Sequence, residues 1–177
     1  MLVTISGLPG SGTTTVSRLV AEALRIDRVP GGEVFRQLAE EAGMSLSEFG
    51  VHVADHPEID VELDRRLEEH ARAGGCVIES RLAAWLVTRA ELLAVRTWID
   101  CDELVRAGRV AVRDGTTPEV ARTENQSRAA LEHARYRAVY GIDLTDRSTY
   151  DLVLDSTTTA PDALASEIVA AAERTFS

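Results

Sequence analysis

Apolar and polar positions follow two periods along this chain. Four short apolar runs, LVTIS (2–6), CVIES (76–80), VRTWID (95–100) and YDLVLD (150–155), are each followed by a stretch with amphipathic or polar helical spacing. Short strand-like runs alternating with helical patterns are the mark of βαβ units around a parallel sheet. A weaker run at Ile26–Pro30, ahead of GGEVFRQLAEEAG, adds a fifth strand. The pattern predicts an α/β fold with a five-stranded parallel sheet flanked by helices.

The first helix opens near Thr13 and places Val16, Leu19, Val20, Ala23 and Leu24 on its buried face by 3/4 spacing. Residues 33–73 and 102–139 read as charged, mostly helical insertions, the second broken at DGTTPE by glycine and proline. A last, alanine-rich helix runs from about Pro161 to Arg174 after the capping candidates of DSTTTAPD. With 177 residues and no repeat or linker, the expectation is one domain in which the insertions are movable parts.

Charge narrows the partners. A net charge of −10 argues against a surface built to neutralise a nucleic-acid backbone, so any anionic ligand must be met locally. The opening MLVTISG has no positive region before an apolar run too short for a signal peptide or membrane helix, which predicts a cytoplasmic protein with no membrane partner. A monomer or small homo-oligomer is expected. Cys76 and Cys101 lack metal or disulfide spacing and are expected in buried strands; Trp85 and Trp98 are expected in the core, and His52, His56, His70 and His133 at the surface.

The chemistry starts at GLPGSGTTT, residues 7–15. Gly7, four residues, Gly12 and then Thr14 have the spacing of a phosphate-binding loop, and the segment joins an apolar strand to a helix as that motif requires. Gly7, Pro9, Gly10, Ser11, Gly12, Thr13, Thr14 and Thr15 are therefore the predicted triphosphate cradle. Thr14 stands where the motif's hydroxyl ligates Mg²⁺, so ATP and Mg²⁺ are the predicted cofactors. The lysine position holds Thr13, and all 19 basic residues of the chain are arginines. If phosphoryl transfer proceeds, arginine must supply the missing charge.

GLPGSGTTTVSRLVAEAL, GGEVFRQLAEEAGMSLSEF, HPEIDVELDRRLEEHAR, VIESRLAAWL and ARYRAVYGIDLTDRSTYDLVLDST, in this order, resemble the cytidylate kinases of archaeal type, whose own loop reads GSGTTT. The resemblance covers nearly the whole chain. It implies a P-loop NTPase fold of the nucleoside-monophosphate kinase kind, with an acceptor-binding helical segment (about 31–73) and a lid (about 106–139). It also implies transfer of the γ-phosphoryl of Mg-ATP to CMP or dCMP. The chain departs from the family pattern at Pro30-Gly31-Gly32, at Ser80, at Ala84 and in ENQSRAALEH, all on the acceptor and lid side.

By the same resemblance Arg36 is the acceptor-side arginine, with Phe35 beside it, and Arg81 is a second arginine at the carboxyl end of a strand, where ligands bind in open α/β sheets. Asp60 and Asp64, four apart on one helix face, and Arg65 beside them lie against the acceptor; a carboxylate accepts from the exocyclic amine of cytosine, which uracil lacks. Arg109, Arg128 and Arg135 are the lid arginines expected to reach the transferring phosphoryl, with Tyr136 packing beside them. Two alternatives stay open at this point: a related kinase acting on another small metabolite, and a nucleotide-binding protein without turnover.

Overall fold

The computed structural model describes all 177 residues, apart from the side chain of Pro57. Five short strands form one parallel sheet: β1 (Leu2–Gly7), β2 (Asp27–Pro30), β3 (Cys76–Glu79), β4 (Val95–Asp100) and β5 (Leu152–Asp155), in the order β2-β3-β1-β4-β5. All six residues of β1 are buried because helices cover both faces of the central strands. On one face α1 (Thr13–Leu24) and α8 (Pro161–Thr175) pack Val16, Val20, Leu164 and Ile168 onto Val3, Ile5, Val95 and Ile99. On the other, α5 (Ala83–Arg89) and Leu67 pack with Ile78, Leu82 and Val87. Burying each such side chain contributes about 1.5–3 kcal/mol, so these two layers are what fix the strand ends in place.

The first insertion is three helices, α2 (Gly31–Glu41), α3 (Leu46–Asp55) and α4 (Pro57–Ala73), with a small apolar cluster of its own around Phe49 and Val53. Ser45 and Glu48 form a capping box that starts α3. The second insertion is α6 (Glu103–Asp114) and α7 (Pro118–Tyr140), capped by Asp102 and Thr117, with the expected break at Gly115 between them. Because β1 is flanked by β3 and β4, the chain leaves β1 and β3 in opposite directions and opens a crevice beyond their carboxyl ends. Ligands bind at such a point in open α/β sheets.

Two details depart from the sequence reading. Ala23 is exposed and Ala21 is buried in its place, because α1 is turned so that Ser17 faces the sheet, where its hydroxyl donates to Glu79 at 3.1 Å. The fifth strand begins at Leu152, two residues later than the YDLVLD run: Tyr150 leaves the sheet to pack edge-on against the fully buried Trp98. Both cysteines are buried, Cys76 in β3 and Cys101 one residue beyond β4. No helix among the described residues is long and apolar enough to cross a membrane.

Candidate active site

A cleft of about 870 Å³ lies over the carboxyl ends of β1 and β3, within the size range of small-molecule sites. Its floor is the loop from Gly7 to Thr15. Gly10 and Gly12 hold left-handed backbone, φ 83° and 89°, and α1 starts at Gly12 with no side-chain cap and no acidic residue in its first turn. The first amides of the helix therefore have no partner from the helix or from a cap, which leaves them, with the positive helix end, for an anion. Packing requires glycine at Gly7 and Gly10. A Cβ on Gly7 would lie 2.5 Å from Ser11 Oγ and 2.7 Å from the Ile99 carbonyl, and one on Gly10 would lie 2.5 Å from the Arg106 carbonyl. Ser11 is buried beneath the loop and its carbonyl accepts from Ser156 Oγ at 2.8 Å, so it shapes the turn and does not line the cleft.

Glu79, at the end of β3, organises the opening of α1. Its Oε1 accepts from Thr13 Oγ1 at 2.9 Å and Thr14 Oγ1 at 2.7 Å, and its Oε2 accepts from Ser17 and lies 3.4 Å from Arg28 Nη2. The hydroxyl in the lysine position is thus bound to a carboxylate. A hard cation is suited to the oxygen pair of Thr14 and Glu79, since Mg²⁺ is held by one or two protein oxygens together with phosphate and water.

Cationic charge enters from the wall. Arg81 follows β3, its Nε donating to Glu132 Oε2 at 2.8 Å and its Nη1 to the Gly7 carbonyl. Arg128, one turn before Glu132 on α7, donates to Glu132 Oε1 at 2.9 Å. Burial alone would raise the Glu132 carboxyl, but the two guanidiniums outweigh it and hold the group at about 2. One buried carboxylate therefore fixes two arginines at the cleft. Arg113 and Asp114 close the tip of α6; the Arg113 hydrogen bond chiefly, with Arg36 and Arg128 nearby, holds the Asp114 carboxyl below its ordinary value.

The far end of the cleft is drier, with Phe35, Leu46, Leu63 and Leu67 in its lining. Arg135, only 4 % exposed, lies 2.6 Å from Asp60 Oδ2 through Nε, donates to the Gly50 carbonyl at 3.2 Å, and sits over the rings of Phe35 and Tyr136. Asp60 Oδ2 and Arg135 Nε form a close, buried ion pair. Burial raises the Asp60 carboxyl and Arg135 opposes the rise. Asp64 accepts from the Tyr140 hydroxyl at 2.6 Å; burial pushes its carboxyl up to about 6, against the Tyr140 hydrogen bond and helped by the charge of Asp60.

Most of the residues singled out from the sequence meet in this one cleft: Gly7, Pro9, Gly10, Gly12, Thr13, Thr14, Thr15, Phe35, Arg36, Asp60, Asp64, Arg81, Arg109, Arg128 and Arg135. Besides Ser11, three arginines are placed differently from expectation. Arg65 is exposed and paired with Glu62 and Glu69 on the outer side of α4, because a helix cannot aim positions 64 and 65 at the same wall. Arg135 is tied to Asp60 and to the Gly50 carbonyl, contacts that join α7 to the acceptor segment. Arg109 is anchored to main chain, donating to the Ser156 carbonyl at 2.8 Å and reaching the Gly10 carbonyl at 3.4 Å. Glu79, Glu132 and Tyr140 are not among the site residues singled out from the sequence. The i, i+4 relation of Arg128 and Glu132 was a visible signal; the hydroxyl partners of Glu79 and the carboxylate partner of Tyr140, 62 or more positions away, were not.

The profile of the cytidylate kinase-like family matches residues 2–158. This chain belongs to that family. Among curated relatives it is 44% identical over 171 residues to a cytidylate kinase of Pyrococcus horikoshii, covering 97% of this chain and 88% of the relative, and 43% identical to one of Halobacterium salinarum, covering 93% and 85%. Solved structures carry the fold alone at lower identity. A shikimate kinase from Acinetobacter baumannii in complex with shikimate aligns with TM-score 0.62 at 14% identity over 99% of this chain and 94% of that one. An uncharacterised protein from Eubacterium ventriosum aligns with TM-score 0.75 at 17% over 98% of both. The neighbours share the fold of this cytidylate kinase-like protein, a five-stranded parallel sheet flanked by helices, and its family membership rests on sequence.

Proposed function

We propose that this protein is an ATP-dependent cytidylate kinase, transferring the γ-phosphoryl of Mg-ATP to CMP or dCMP. The observation that carries the reading is the polarity of one continuous cleft: a main-chain anion cradle at one end, two carboxyls in an apolar slot at the other, and guanidiniums between. The cradle and the first turn of α1 hold the triphosphate. Thr14 and Glu79 would hold Mg²⁺, which would supply positive charge to neutralise the phosphates. The slot accepts a base bearing an exocyclic amine. An acceptor phosphate is already ionised near neutral pH, so no strong base is needed, and Arg36, Arg81 and Arg128 have the work of positioning and charge neutralisation. The 43–44% identity to proteins known as cytidylate kinases supports the same acceptor. A single domain and a cytoplasmic setting remain part of this proposal.

An ADP-release assay with CMP, dCMP, UMP, AMP and non-nucleotide acceptors tests it. Turnover with CMP on the order of 1 to 100 per second is expected. Turnover confined to a non-nucleotide, or ATP binding with no turnover on any acceptor, would overturn the proposal.

A further inference from the structure

Asp60 and Asp64 stand one turn apart on α4 and line the same slot, yet their partners differ. Asp60 has a guanidinium, with Arg135 Nε 2.6 Å away. Asp64 has only a hydroxyl, Tyr140 donating to Oδ2 at 2.6 Å. The charged and titratable groups facing Asp64 are Asp60 from its own helix and Arg135, Tyr136 and Tyr140 from α7. Burial raises both tyrosines further above their already high ordinary values, so they stay neutral. The slot thus offers one cation to two carboxyls. Asp60 and Arg135 cancel, and an ionised Asp64 beside Leu63 and Leu67 would be an uncompensated charge in a partly dry site.

We propose that Asp64 reads the acceptor base as the neutral acid, its Oδ1 donating a hydrogen bond to the ring nitrogen that is unprotonated in cytosine. The proposal rests on the CMP reading and deepens it. Tyr140 donates to Oδ2, which leaves Oδ1 free to carry the acid's proton. Cytosine presents a lone pair at that ring position. Uracil presents N–H, which clashes with an O–H donor and suits an ionised carboxylate instead. The proton on Asp64 is therefore what distinguishes the two bases, and a polar mismatch of this kind discriminates strongly because it leaves buried groups unpaired. The only bond made is the O–H of Asp64: above the titration of the free enzyme, CMP binding takes one proton from solvent or buffer onto the carboxylate. Carboxyls in apolar surroundings that stay protonated in order to donate are an established way of tuning a site. The burial that pushes the Asp64 carboxyl up to about 6 puts it within reach of that role near neutrality.

Calorimetric titration of the whole protein with CMP, at about pH 7.5 in two buffers of different ionisation enthalpy, tests this. Wild type is expected to take up about one proton more per CMP than Asp64→Asn, the ionisation of the CMP phosphate being common to both. Across about pH 5.5 to 8, the wild-type dissociation constant relative to that variant should rise by up to about tenfold per pH unit above the break. Tyr140→Phe supplies a second measure should the asparagine variant fail to fold: the lost hydrogen bond favoured the ionised form, so the break moves to higher pH. CMP binding with neither an extra proton nor a pH slope, or an unmoved break in Tyr140→Phe, overturns the proposal and leaves the acceptor assignment standing. A protein that does not bind CMP at all removes both.

Discussion

The floor and the wall of the cleft are built by different means. The floor depends on backbone: Gly7 and Gly10 leave no room for a side chain, and the hydroxyls of Thr13 and Thr14 are tied inward to Glu79. The wall depends on side-chain pairs that join distant segments, Arg81 with Glu132, Arg135 with Asp60 and Asp64 with Tyr140. A cradle of amides and hydroxyls carries partial charge only. Full charge has to come from groups that the rest of the fold brings to it, and the structure concentrates such groups on the wall. Under the proposed function, a loop without lysine works because the two jobs have been divided between two parts of the molecule.

Breaking the wall should have the largest effect. Arg81→Ala removes a guanidinium from the cleft and leaves buried Glu132 with Arg128 alone. Arginines that meet a transferring phosphoryl contribute about 10³-fold or more, so turnover should fall by about that factor while the Michaelis constant for ATP moves much less. Because Glu132 keeps Arg128, the cost stays below the about 3–5 kcal/mol of leaving a buried charge uncompensated, and the melting temperature should fall by less than about 10 °C. Steady-state kinetics with CMP and a thermal melt read both. A turnover loss below about tenfold would show that the charge comes from elsewhere.

Breaking the floor should cost less and should show in a different constant. In Gly10→Ala a methyl group meets the Arg106 carbonyl, which a Cβ would approach to 2.5 Å, at a backbone φ of 83° that L side chains rarely adopt. Strain and overpacking of this kind cost about 1–3 kcal/mol each, and the loop must shift to relieve them. The Michaelis constant for ATP should rise about ten- to hundredfold and that for CMP should stay within about threefold. An equal rise in both would mean that floor and wall do not act separately.

The same division explains what the sequence makes legible. The β1–loop–α1 unit, the five strands and the break between α6 and α7 are written in local spacing, glycine and proline, so they are readable without tertiary knowledge. The wall is not local. Arg65 and Arg135 look alike as helix arginines with carboxylates at nearby positions, and only the packing of α7 on α3 and its ion pair to α4 put one outside and the other over Phe35. Glu79 reads as the polar end of a strand until the sheet register and α1 bring three hydroxyls to it. Even the one error on α1, Ala23 for Ala21, comes from this source: the helix is turned toward Glu79 through Ser17, a polar contact that an apolar periodicity does not weigh.

The smallest effect is expected at the position that first looks most important. Thr13 occupies the lysine site, but its hydroxyl donates inward to Glu79 at 2.9 Å, and no ion pair or charged atom of its own faces the cleft. In Thr13→Ala the Glu79 carboxylate keeps Thr14 and Ser17 as donors. One hydrogen bond of this type is worth about 1 kcal/mol net, so kcat/KM for ATP should fall by only about fivefold. Losing a lysine from a loop that relies on one would remove a full charge from the phosphates, and the contrast between the two outcomes measures how far the division of labour goes. A loss of several thousandfold in Thr13→Ala would mean that its hydroxyl turns from Glu79 to the phosphates during the reaction, and the floor would then have to be counted as a source of catalysis alongside the wall.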